Sequence, residues 1–191
     1  MPANHAYGPA TRGVVLAGGR SRRMGVPKAG VLLDGRPLLV HVVAAIRAAG
    51  LAAAVVAKAG SVLPAPEGLA RWDEPDVPTH PLTGIAAALR REGRPLVVLP
   101  VDLPWVPAGL LALLADRPEP LVVVEGAGRL HPLLGRFSPE HADALEDAAS
   151  TNAPVMTTVR SLGAATVGDD VLRRWGDPAR LVRNVNRPED L

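Results

Sequence analysis

Eleven consecutive residues, Gly18–Lys28, read GGRSRRMGVPK and combine three glycines with Arg20, Arg22, Arg23 and Lys28. Glycines allow tight turns and a close approach of backbone N–H groups to phosphate oxygens. Four cationic side chains within nine residues match the charge of a nucleoside triphosphate, and arginine adds bidentate geometry. A solvated basic loop is the plainer alternative, but no acidic residue nearby neutralises the cluster. The loop is neither a P-loop nor a dinucleotide fingerprint: six positions part Gly19 from Gly25, no GK[ST] follows, and a GxGxxG register is absent. A second candidate is Asp102 in the run LVVLPVDLPW. Magnesium takes one or two carboxylates plus phosphate oxygens and water, so one aspartate facing a triphosphate could anchor it. A turn or capping aspartate ahead of Pro104 is the alternative on that residue alone.

Both features need elements that bring them to one edge. Val14–Ala17 reads as a buried strand running into Gly18, and Leu96–Val101 as a second one ending just before Asp102. Between and beyond them the pattern alternates. Helices are expected at Pro37–Ala49, at Gly84–Glu92 with Thr83 as cap, at Pro107–Ala115, Pro139–Ala149 and Val155–Leu162. Strands are expected at Ala53–Ala57, Leu69–Trp72, Leu121–Val124, Leu130–Phe137 and Ala164–Val167. Alternation with short connections predicts an α/β fold with a largely parallel sheet. In such sheets ligands sit at the carboxyl ends of the strands, where the glycine loop and Asp102 both emerge.

Composition narrows the function. A chain of 191 residues and 19.9 kDa, 48% apolar and 21% charged, suits one globular domain over 1–191, with 1–11 expected as a flexible N-terminal segment. No cysteine is present, which removes zinc–thiolate sites and thiol nucleophiles. Five aromatic residues of the Phe, Trp and Tyr types offer little platform for single-stranded nucleic acid. The pI near 9.6 rests on a net charge of only +2. Five of the 21 Lys and Arg residues precede Asp34, the first acidic residue, which leaves 16 basic against 19 acidic beyond it. Positive charge is therefore local, as for a small polyanion rather than a nucleic acid. The most apolar window, Leu96–Ala115, carries Pro100, Asp102, Pro104 and Pro107, so no membrane span is expected and a cytoplasmic location is.

LAGGRSRRMG at Leu16–Gly25, then Lys28, DGRPLL, Asp73, PLTG at Pro81–Gly84, VDLP at Val101–Pro104, His131-Pro132 and NVNRPEDL at Asn184–Leu191 resemble, in order and spacing, the MobA-like nucleotidyltransferase family. The resemblance spans nearly the whole chain. It implies a Rossmann-like three-layer α/β/α fold and a magnesium-dependent transfer of GMP from GTP to the terminal phosphate of molybdenum-molybdopterin, with release of pyrophosphate. It implies nucleotide binding by Leu16, Ala17, Gly18, Gly19, Arg20, Lys28, Asp73 and Asp102, with magnesium on Asp102. Arg23, Lys28 and Asp102 would carry catalysis, and His131, Asn184 and Asn186 would meet the acceptor. Partners implied are GTP, the molybdopterin acceptor and other molybdenum cofactor enzymes, with no nucleic acid and no membrane.

The chain departs from the family at Pro27, Ala57, His80, Val101 and Arg187. These positions bear on base and acceptor, and leave open CTP with molybdopterin, GTP with a small phosphorylated acid, or a catalytically silent nucleotide-binding partner. Read from residues alone, His131 could touch the acceptor phosphate or a loop carbonyl, and His41 is structural. Asn184 and Asn186 alternate in an extended tail and point the same way, or form a plain turn ahead of Pro188. Trp72, Trp105 and Trp175 pack in core or rim, or stack on a pterin.

Overall fold

The structure, a computed structural model, describes residues 11–18, 27–186 and 188–190. Strand β1 (Arg12–Leu16) shows its architecture in miniature: Val14 and Val15 are both fully buried. Successive strand residues face opposite ways, so both faces of the sheet must be covered. Val14 packs with Val56, Leu82, Ile85 and Phe137, whereas Val15 packs with Leu39, Val43, Leu99 and Leu110. These two cores make a three-layer α/β/α molecule.

After β1, a short turn at Lys28–Gly30 leads into a hairpin of β2 (Leu32–Leu33) and β3 (Arg36–Pro37). Asp34 (φ 49°) and Gly35 (φ 73°) close it, the Asp-Gly pair that a two-residue hairpin favours. The hairpin was not anticipated from the pattern, because its strands are too short to alternate. Helix α1 (Leu38–Ala48) buries Leu38, Leu39, Val42, Val43 and Ile46 on one face. Strands β4 (Ala52–Lys58) and β5 (Ala70–Glu74) follow, then α2 (Pro81–Glu92), β6 (Leu96–Pro100) and α3 (Ala108–Asp116). Strands β7 (Leu121–Gly126) and β8 (Arg129–Phe137), helices α4 (Ala142–Ser150) and α5 (Val155–Ser161), strand β9 (Ala165–Val167), and short helices α6 (Asp169–Leu172) and α7 (Pro178–Leu181) follow, and a 3-10 turn at Pro188–Asp190 comes after them.

The sheet order is β5-β4-β1-β6-β8-β7-β9. Six strands run one way and β8 alone runs against them. From β1 the chain goes outward to β4 and β5, then returns to place β6 on the other side of β1. This reversal puts a crevice beyond the carboxyl ends of β1 and β6. The register pairs Leu16 with Pro100 and Lys58 with Glu74, so these four residues finish level at that edge.

Two local expectations need correction. Helix α2 starts at Pro81 rather than Gly84, and His80 is its cap, accepting from the Leu82 N–H at 3.3 Å. Proline suits the first helical position because it has no N–H to leave unpaired. Thr83 lies inside the helix and donates its hydroxyl to the Pro78 carbonyl at 3.2 Å. The element expected at Pro139–Ala149 divides into a short 3-10 turn, Pro139–His141, and α4. Among the described residues no helix is long and apolar enough to cross a membrane.

Candidate active site

A cleft of about 360 Å³ opens at the crevice. Its floor is the end of β1 and the following turn, Leu16, Ala17 and Gly18, held by the bond from the Ala17 N–H to the Val56 carbonyl at 2.9 Å. Asp102 enters from just beyond β6, where the Val101 N–H donates to the Leu16 carbonyl at 3.1 Å. Lys28 reaches in from the turn before the hairpin. Its ammonium donates to Asp102 Oδ2 at 2.7 Å and to Asn186 Oδ1 at 2.6 Å. Leu16, Ala17, Gly18, Lys28 and Asp102 thus share one cleft. Gly19, Arg20 and Arg23 lie outside the described residues.

The tail arrives by a different route. Val185 is fully buried and its N–H donates to the Asp102 carbonyl at 2.8 Å. The Asn186 N–H donates to Asp190 Oδ2 at 2.8 Å. Asn184 and Asn186 flank Val185 and, with Arg129, His131 and Arg183, line a second cavity of about 340 Å³. Because Asn186 lines this cavity and bonds to Lys28 in the first cleft, the two spaces meet at that contact. The three residues expected to meet an acceptor therefore share one wall. Arg183 lies over the Trp105 ring, 5.5 Å from its centroid.

His131 Nε2 is buried without a hydrogen-bond partner among the described residues. Burial pushes its imidazole below the ordinary 6.5 and Arg129 adds to this, against the opposing pull of the Gly126 carbonyl and Asp102. The ring is thus held neutral near pH 7. His41 Nε2 lies 2.8 Å from the Leu33 carbonyl and ties α1 to the hairpin. Trp72 is buried against α2, with the guanidinium groups of Arg12 and Arg91 each 5.6 Å from its centroid. It has no face left for a pterin.

Asp73 does not line the cleft. It sits on the exposed face of β5 and accepts from Arg71 Nε at 3.1 Å. Its neighbour Glu74 faces the cleft instead, with a side chain only 9% exposed and Lys58 Nζ 3.4 Å from Oε1. Sequence reasoning missed Glu74 and Lys58. The period-two pattern puts Glu74 on the face of the apolar Trp72 and Asp73 on the other, but which face meets the cleft is not written in that pattern.

A family model described as "MobA-like NTP transferase domain" matches residues 13–166. The chain belongs to this family. It is 34% identical to the molybdenum cofactor guanylyltransferase of Rhizobium meliloti, over 100% of this chain and 91% of the relative. It is 32% identical to that of Sinorhizobium fredii, over 93% of this chain and 87% of the relative. Among solved structures, molybdopterin-guanine dinucleotide biosynthesis protein A from Archaeoglobus fulgidus superposes with a TM-score of 0.77 at 22% identity, covering 94% of each chain. The 2-C-methyl-D-erythritol 4-phosphate cytidylyltransferase of Thermus thermophilus shares the fold at a TM-score of 0.62 and 22% identity.

For a MobA-like nucleotidyltransferase, the electrostatics are apt for joining two anions. Lys28 stands where the two cavities meet, and Arg129 and Arg183 line the far one. Among the described residues no group of three or more His, Asp or Glu side chains could hold a metal. Asp102 by itself suits a hard cation that draws its other ligands from phosphate oxygens and water.

Proposed function

We infer that this nucleotidyltransferase transfers GMP from GTP to the terminal phosphate of molybdenum-molybdopterin in the cytoplasm, with residues 1–191 folding as one domain. Its product would pass to other molybdenum cofactor enzymes. An oxygen of the acceptor phosphate forms a bond to the α-phosphorus of GTP. The bond from that phosphorus to the oxygen bridging the α- and β-phosphates breaks, and pyrophosphate leaves with the electron pair. A phosphate monoester is largely dianionic near neutral pH and is its own nucleophile, so no general base is required.

The observation that carries this reading is the bridging position of Lys28, bonded at once to Asp102 in the first cleft and Asn186 in the second cavity. A cation at the junction of two anion sites offsets the repulsion that keeps two phosphates apart. The nucleotide lies along Leu16–Gly18 with its phosphates toward Lys28, and Gly19, Arg20 and Arg23 serve as further phosphate-binding residues. Asp102 would hold magnesium jointly with the phosphates, and the ion would neutralise their negative charge. The neutral His131 with Asn184 and Asn186 receives the acceptor, adding hydrogen bonds without competing for its protons. Identities of 32% and 34% to guanylyltransferases over 93% and 100% of this chain favour GTP and molybdopterin over the alternative substrates.

The test is incubation of the protein with each of the four nucleoside triphosphates, magnesium and molybdopterin, followed by identification of the nucleotide on the pterin. Guanylyl transfer with matching pyrophosphate release is expected. Cytidylyl transfer, or no transfer despite bound GTP, would overturn the assignment.

A further inference from the structure

At the end of the cleft away from Asp102, β4 and β5 finish level and bring Lys58 beside Glu74. Three features mark this pair. The Glu74 carboxylate is almost wholly buried, yet its charged partner lies at 3.4 Å, longer than a tight ionic hydrogen bond. The carboxylate is seated between Gly18 and Gly84, and a Cβ at either position would overlap it. Lys58 also donates to the Pro75 carbonyl, which leaves one of its three N–H donors for another acceptor. Burying a carboxylate is costly, and Trp72 and α2 already fill the core behind it. Packing alone does not account for an ionic pair at this place.

Lys58 and Glu74 both line the cleft, so the pair sets a carboxylate beside an ammonium donor in its wall. Of the four common bases, guanine alone shows the complement: adjacent donors at N1–H and the 2-amino group, then an acceptor at O6. Adenine and cytosine place a ring acceptor beside their amino group, and uracil has one N–H between two acceptors. The distances agree. Two strand spacings, about 10 Å, separate β5 from β1, where the phosphate-facing turn begins. An extended nucleotide spans such a gap between its base edge and its α-phosphate.

Resting on the reading of the cleft as a GTP site, we propose that Glu74 and Lys58 select guanine, the carboxylate accepting from N1–H and the 2-amino group while the ammonium donates to O6.

The proposal is tested by equilibrium binding of the full chain to the magnesium salts of GTP, ITP, XTP, ATP and CTP, for wild type and Glu74→Gln. ITP lacks the 2-amino group and XTP carries an oxygen in its place. Wild type is expected to bind GTP about 10- to 100-fold more tightly than ITP, and XTP more weakly still. Glu74→Gln, whose amide can donate to the 2-oxygen, is expected to lose about 10- to 100-fold for GTP and to shift its preference toward XTP. The wild-type ranking needs no variant and stands if Glu74→Gln fails to fold. Equal affinity of wild type for GTP and ITP, or an unchanged ranking in folded Glu74→Gln, overturns the assignment of Glu74 but not guanylyl transfer. Preference for CTP or ATP overturns both. Selective GTP binding without transfer to molybdopterin supports this proposal and removes the transfer reading.

Discussion

Lys28 Nζ lies 2.7 Å from Asp102 Oδ2, although 74 positions separate the two residues. Both side chains are about one-fifth exposed, so the pair is partly shielded from solvent and its charges interact more strongly than on an open surface. The backbone of Asp102 is occupied independently, since its carbonyl accepts from the Val185 N–H. Side-chain chemistry and backbone anchoring therefore meet at one residue and can be separated by mutation.

Asp102→Asn keeps the carbonyl bond to Val185 and removes the carboxylate charge. Pyrophosphate release under saturating GTP, magnesium and acceptor is expected to fall about 10²- to 10³-fold. The far-ultraviolet circular dichroism should remain that of the wild type. Near-wild-type turnover would exclude Asp102 from the reaction.

Val185 carries no charge but pins the tail that presents Asn184 and Asn186. Val185→Ala removes two buried methyl groups and should lower the unfolding free energy by about 2 kcal/mol, measured by urea denaturation. Loosening of Asn186 from Lys28 should raise the KM for the acceptor more than that for GTP.

Glu74 gives a pH signature. Burial raises its carboxyl above the ordinary 4.5, outweighing the opposing effect of Lys58, and the Asp76 charge adds to the rise. Below 4.5 both folded and unfolded chains hold the proton. As pH climbs from 4.5 through the folded value, the unfolded chain ionises first and stability is lost. The difference in melting temperature between wild type and Glu74→Gln should change in that window, with wild type losing ground as pH rises. A difference that does not vary with pH would show that Glu74 titrates normally.

His131 works in the other direction. Its folded value lies below 6.5, so its stabilising neutrality is complete above 6.5 and is lost as pH falls through the folded value. In a proton NMR titration of the five histidines, the resonance missing from His131→Gln should show a midpoint below 6.5. A midpoint above 6.5 would place a cation, not a neutral ring, beside the acceptor.

Gly84 lies inside α2, where alanine ordinarily gains about 1 kcal/mol over glycine. Here the added methyl would overlap Glu74 and sit 3.2 Å from Val56 Cγ1. Gly84→Ala should displace the carboxylate and weaken GTP binding about tenfold, read by calorimetric titration. Unaltered affinity would mean that the carboxylate position is immaterial to the nucleotide.

Much of this architecture was readable along the chain. The apolar runs at Val14–Ala17 and Leu96–Val101, each ending where chemistry begins, marked two buried strands, and their parallel pairing sets Leu16 level with Pro100. Local rules governed the elements that were legible: periodicity and proline at helix starts. The start of α2 was misjudged because Thr83 and His80 can both cap, and the choice lay with Pro81 and the Ala153 carbonyl, 3.0 Å from His80 Nε2.

By itself, then, the amino-acid order determined an α/β chain with Gly18, Lys28 and Asp102 at one sheet edge. Only the tertiary structure decided which of two adjacent carboxylates enters the cleft. Strand side chains alternate with a period of two, so a slip of one residue in β5 would exchange Asp73 for Glu74. The pairing of Lys58 with Glu74 against β4 determines that register. The tertiary structure likewise brought Asn186 to Lys28 across 158 positions, because burial of Val185 folds the tail back over Asp102, a long-range packing event that local sequence patterns do not encode.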